Sequence, residues 1–135
     1  MGRVRSNVVI DDKSFWALFD TGARSTYVIE EVAAQLPTFP LRRAEGVALG
    51  GRTHRVDRVC LLSCLVEGLQ IETLARVLSE IGTDEDGKRI EVLVGALTMQ
   101  EWGIVPVPPD ERLDMTRYTT QFVEFFEQRT RRVLW

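Results

Sequence analysis

Residues 16–31, WALFDTGARSTYVIEE, decide how the chain is read. An apolar run ends on Asp20, and Thr21, Gly22 and Ala23 follow at once. A carboxylate drawn toward the interior by Trp16, Leu18 and Phe19 loses hydration, so its place needs partners or a purpose. Part of the answer is local. Asp-Thr-Gly is good turn chemistry, because an aspartate oxygen accepts nearby backbone N–H groups and glycine is free to take a positive φ. The missing Cβ at Gly22 also lets its N–H approach the Asp20 carboxylate closely. Strand alternation puts Leu18 on the face of Asp20, where it should line any cleft, and sends Phe19 to a core on the other side.

Outward from this turn the chain reads as mainly β, with one or two short helices. Residues 3–10 and 14–19 flank the turn Asp11-Asp12-Lys13 and predict an N-terminal hairpin. A short strand is expected near 25–28. Val32, Ala33 and Leu36 then fall at helical spacing, with Pro37 as a stop. EGVALGGRTHRVDR (45–58) predicts a second hairpin with Gly50 and Gly51 at its tip. Residues 57–66 and 69–78 form a third around Glu67-Gly68, apolar enough on both faces to be interior. IEVLVGALTMQEWGIVPV (90–107) starts as a strand, breaks at Gly95, makes a helical turn over 97–101 and resumes as a strand at Gly103. In the tail, Phe122, Phe125, Phe126 and Val133 fit a helix face, which is the favoured reading, while QFVEF (121–125) also fits a strand.

At 135 residues and 44% hydrophobic composition, the chain can bury one core, which makes 1–135 a single domain with its body at 3–107 and a tail of unassigned structure at 110–135. A formal charge of −3 offers no positive field for a phosphate backbone, so nucleic acid is not an expected partner. No apolar stretch reaches the roughly 18 residues of a membrane span, and no signal peptide is legible. Cys60 and Cys64 share a strand face but lie too far apart to bridge, and read as reduced core thiols of a cytoplasmic protein. With His54 the single histidine, neither a zinc site nor a Ser/His hydrolase is supported. Asp84 and Asp86 lack the remaining ligands of a calcium loop. No metal or cofactor is expected. The opening MGRVRS fits the formal Gly2 acylation pattern, but the strand reading of these residues competes with it.

The stretch ALFDTGARSTYV resembles the active-site turn of the retropepsin-like, or retroviral-type, aspartic proteases. VLVGALTMQEWGIV resembles that family's second marker, two hydrophobic residues and a glycine followed by a short helix. GVALGGRTHRV lies where the family carries its flap hairpin. The likeness spans roughly residues 8 to 107 and implies a single-domain acid-protease barrel acting as a two-fold homodimer. It implies that the Thr21 hydroxyl bonds across the two-fold to the partner's turn, that Leu93 lines the cleft beside Leu18, and that Ala23 is small where a substrate strand lies. Gly50 and Gly51 suit a mobile flap tip, and suit an ordinary hairpin turn equally. Two positions depart from the retroviral pattern. Arg24 stands where those proteins carry an acid, and Ala96 where they carry an arginine, so their bracing charge pair is absent.

Peptide hydrolysis by carboxylates needs two of them, one activating water and one protonated to polarise the carbonyl. This chain has one Asp-Thr-Gly, so the second Asp20 must come from a second copy. The expected activity is therefore an aspartic endopeptidase taking a peptide as an extended strand, favouring hydrophobic residues beside the cut bond and mildly acid pH. Two alternatives remain at this point. One is a non-catalytic dimeric binding or assembly module of the same fold, the other a monomeric barrel in which Asp-Thr-Gly is only a turn.

Overall fold

The computed structural model describes residues 2–119. Its N-terminal hairpin joins β1 (Arg3–Ile10) to β2 (Lys13–Asp20). Asp11 and Asp12 both take positive φ, 47° and 69°, the geometry that matches a two-residue turn to the right-handed twist of its strands. Lys13 is therefore a strand residue and not part of a three-residue turn. That single position sets the register, and it places Arg3 opposite Asp20.

After the turn come β3 (Tyr27–Ile29) and a single helical turn, α1 (Glu30–Ala33), which buries Val32 and Ala33. The helix is shorter than its spacing predicts. The second hairpin is much longer than expected: β4 runs over Thr38–Leu49 and β5 over Arg52–Val66. Gly50 and Gly51 form its tip with φ of 60° and 77°. β4 is the last strand of the sheet, an edge that tolerates Pro40 and the register irregularity between Pro40 and Glu45.

β6 (Leu69–Leu78) pairs with the far half of β5. These two strands are not interior on both faces, contrary to their apolar sequence. Burial alternates, with Cys60, Leu62, Cys64, Ile71 and Ala75 inside while Leu61 and Leu74 are 37% and 58% exposed. A minimal pair, β7 (Gly82–Thr83) and β8 (Arg89–Ile90), precedes β9 (Val92–Val94) and α2 (Ala96–Trp102). The described chain finishes with a small hairpin of β10 (Val105–Val107) and β11 (Arg112–Asp114). The apolar positions at 122–133 lie outside the described residues.

The large sheet has the order β1-β2-β9-β3-β6-β5-β4, and a further pairing of β1 with β5 at Val9 and Leu65 closes it on itself. β9 lies parallel to β2 and antiparallel to β3, so the chain returns from far downstream to fill the slot beside Asp20. Two apolar clusters result. One fills the barrel and holds Phe19 with Val4, Val8, Leu62, Val92 and Val94. The other lies on the Asp20 face and gathers Leu18, Tyr27, Leu78, Ile90 and Leu93 beneath Val47, Leu49 and Val56 of the long hairpin. The opposite destinations of Phe19 and Leu18 follow the alternation of β2.

Candidate active site

Asp20 ends β2 with its side chain 15% exposed. One carboxylate oxygen accepts the Gly22 N–H at 2.8 Å, the short-range Asx-turn bond of an aspartate to the backbone two residues on. The other lies 3.4 Å from Nε of Arg3. Thr21 and Gly22 themselves are exposed.

The turn is held from two sides. On one, the Ala23 N–H donates to the Asp20 carbonyl at 3.1 Å, while the Ala23 and Arg24 carbonyls accept the N–H groups of Ala96 and Leu97 at 2.7 and 3.1 Å. Those two donors open α2, which has no side-chain cap, so the Asp20 turn satisfies helix-end groups that would otherwise lack partners. The two sequence markers are thus bonded directly to each other. Behind them, the Gly95 N–H donates to Thr26 Oγ1 at 3.1 Å, and the hydroxyls of Thr26, Thr98 and Thr73 follow one another at 2.7 and 2.9 Å. Thr26 and Thr98 are buried, and a run of hydroxyls each passing its proton onward leaves none of them unsatisfied.

On the other side stands Gly2. Its N–H donates to Thr21 Oγ1 at 2.7 Å, its carbonyl accepts the Thr21 N–H at 2.9 Å, and the Thr21 hydroxyl lies 3.2 Å from the same carbonyl. The partner seen for this hydroxyl is therefore within the chain. A hydroxyl that already donates and accepts once keeps one lone pair, which leaves it able to receive an N–H from outside.

Leu18, Asp20, Gly50 and Leu93 line one pocket of about 330 Å³. Leu18 and Leu93 are direct neighbours across the parallel pairing of β2 and β9, and are 3% and 4% exposed. The tip of the long hairpin supplies Leu49 and Arg52 to the same space, and Arg3, Ile81, Gly82, Thr83 and Ile90 complete it. Thr21, Gly22, Ala23 and Gly51 are not part of that lining. Ala23 packs against the apolar cluster and makes the backbone bonds described above.

Sequence reasoning missed Arg3 and Arg52. The signal for both was register: two-residue turns at 11–12 and 50–51 set Arg3 against Asp20 and Arg52 against Leu49. Next to Thr21 lies a second concavity of about 480 Å³, lined by Met99, Ile104, Val105 and Pro106 among others.

Asp84 accepts the N–H groups of Asp86 and Lys88 and the Trp16 indole N–H, at 2.8–2.9 Å. Among the described residues no group of three or more potential ligands could hold a metal ion. His54 sits half-buried on β5, with Nε2 lacking a partner among them. Cys60 and Cys64 are free and buried. No helix among the described residues is long and apolar enough to cross a membrane.

No protein-family model matches the chain, and no curated protein matches it. Solved structures do. The retroviral protease-like domain of Ddi1 from Leishmania major superimposes with a TM-score of 0.58 at 13% identity, over 86% of this chain and 90% of that one. The EIAV protease, solved in complex with the inhibitor HBY-793, gives 0.50 at 22% identity, over 78% and 92%. A foamy viral protease-reverse transcriptase bound to an RNA/DNA hybrid gives 0.54 at 15% identity, over 78% of this chain but 12% of that one. The fold is retropepsin-like and mainly β. At these identities the likeness describes the fold.

Proposed function

We propose that the chain is an aspartic endopeptidase whose active form is a two-fold homodimer, with Asp20 of each copy meeting at the axis. The observation that carries this reading is the Asp20 turn: a part-buried carboxylate, held by the Gly22 N–H, in a pocket that the tip of the long hairpin also lines, in a retropepsin-like fold.

One carboxylate cannot do the chemistry. Among the described residues Asp20 is the only acid lining its pocket, and a second copy would supply the other. The ionised Asp20 takes a proton from water as it attacks the peptide carbonyl, while the protonated Asp20 donates to the carbonyl oxygen. The tetrahedral intermediate then breaks, the leaving amine taking a proton from the pair. The exposed Thr21–Gly22 turn and the apolar concavity beside it suit an interface with another copy. In it the free lone pair of Thr21 would receive an N–H of the opposite turn, which makes Thr21 and Gly22 supports of the carboxylate.

Leu18 and Leu93 would bind side chains next to the cut bond. Both are covered by the β4–β5 hairpin in this form, so the hairpin must lift to admit an extended peptide and close on it through Gly50 and Gly51. No cofactor enters this reading, and the free buried thiols fit a reducing, cytoplasmic setting.

The test is digestion of a diverse peptide mixture by wild type and Asp20→Asn, read by mass spectrometry from pH 3 to 9. Cleavage by wild type that falls about a thousandfold in the variant is the expected result. Cleavage that survives the substitution refutes it. A dimer that binds peptides and cuts none would instead be the binding or assembly module.

A further inference from the structure

We infer that the Asp20 pocket takes peptides carrying an acidic side chain close to the bond at its floor, with Arg52 and Arg3 as the groups that receive that carboxylate. The inference rests on the peptide-binding reading above and names the substrate class for it.

The pocket's charge runs against that of the chain. The sequence carries a formal −3, yet among the described residues the charged side chains lining this space are Arg3, Arg52 and Asp20, two cations against one anion. When one Asp20 of a pair holds a proton, the local excess of positive charge grows.

Both arginines have donors to spare. Arg52 forms no ion pair among the described residues. Glu80 feels its charge, but both Glu80 oxygens already accept from Arg89, at 2.9 and 2.8 Å. Arg3 approaches Asp20 through Nε, at 3.4 Å, and its side chain is 58% exposed. A guanidinium carries five N–H donors in a planar fork that matches a carboxylate, so the outer nitrogens of Arg3 remain available.

The two cations sit on different parts of the site. Arg3 is fixed on the floor by the β1–β2 register, whereas Arg52 follows Leu49, Gly50 and Gly51 at the hairpin tip. A substrate carboxylate between them would tie the tip to the floor while Leu18 and Leu93 hold the neighbouring apolar groups. Acidic and hydrophobic residues side by side are the pattern this surface selects.

The experiment uses sets of three labelled peptides identical except for Glu, Gln or Lys beside one bond, made with either a normal or a reduced, uncleavable link. Binding of the uncleavable set is read by fluorescence anisotropy, and hydrolysis of the normal set by mass spectrometry. The Glu peptide is expected to bind about tenfold more tightly than the Gln peptide, with the margin shrinking as salt rises. Arg52→Gln should remove most of that margin, and Arg52→Glu should put the Lys peptide first. Binding without charge preference, or an order unchanged in Arg52→Glu, overturns the inference even if the peptides are cut. Glu-selective binding without hydrolysis upholds it and refutes proteolysis, so the two failures are distinct.

Discussion

Gly95 and Ser25 stand so close that no side chain fits between them: a Cβ on Gly95 would fall well inside contact distance of the Ser25 carbonyl. This approach brings β9 and the start of α2 against the Asp20 turn, where the Ala23 and Arg24 carbonyls receive the first helix N–H groups. Gly95→Ala should therefore cost about 3 kcal/mol of stability, within the range for overpacking a closed site. It should also distort the Asp20 turn, so the proposed peptidase activity should fall further than the folded fraction does. Urea unfolding of the two proteins, with activity measured far below the transition, separates the effects.

The hydroxyl run of Thr26, Thr98 and Thr73 supplies a second, gentler perturbation of the same joint. Thr98→Val keeps the shape and leaves the Thr26 hydroxyl without its neighbour, a loss of about 1–2 kcal/mol. Chemical denaturation reads it directly. A change below about 0.3 kcal/mol would mean that the run contributes little beyond packing.

Acid should weaken the chain through a cluster on Arg5. Its guanidinium pairs with Asp86 at 2.7 Å and with Glu111 at 3.1 Å, tying β1 to two distant loops. The Arg5 hydrogen bonds hold the Glu111 carboxyl below its ordinary value of 4.5. Backbone N–H bonds, then the Trp16 indole, do the same for Asp84 from 3.8. Groups lowered in this way bind protons in the unfolded chain first. Their stabilisation is present above about pH 4.5 and disappears as pH falls through the folded-state values. Arg5→Gln should flatten the acid limb of a plot of melting temperature against pH and leave its neutral-to-basic shape unchanged.

Alkali should act through the thiols. Burial pushes Cys60 up to about 11 and Cys64 up to about 12, from an ordinary 9.0. The unfolded chain therefore loses thiol protons first, and stability should decline as pH rises above about 9. At pH 8 neither thiol should react with a maleimide until denaturant is added, because the thiolate is the reactive form and both sulfurs are enclosed. Counting labelled sites by mass in native and denaturing buffer checks this.

Much of this architecture could be read from local pattern. The Phe19 and Leu18 alternation, the Gly95 break and the glycine tip of the second hairpin follow from period-two patterning and turn chemistry. What escaped was decided by partners. β4 begins at Thr38, although Pro40, Arg42 and Arg43 look like loop, because an edge strand needs few ladder donors and keeps its side chains in water. Leu61 and Leu74 look like core and face solvent. The bonds between Gly2 and Thr21, and the pairing of Arg3 with Asp20, depend on register, and a one-residue error in the first turn was enough to hide the latter. Backbone bonds from the Asp20 turn to α2 leave no trace in side-chain identity.

The central claim is that Asp20 works only beside its own copy, and specific activity against protein concentration tests it most directly. Below the dissociation constant of the dimer the activity per chain should rise with concentration. An excess of Asp20→Asn chains should suppress it by forming mixed pairs with one carboxylate. Activity per chain that stays constant down to concentrations where light scattering shows only monomers, unaffected by added Asp20→Asn, would contradict the account.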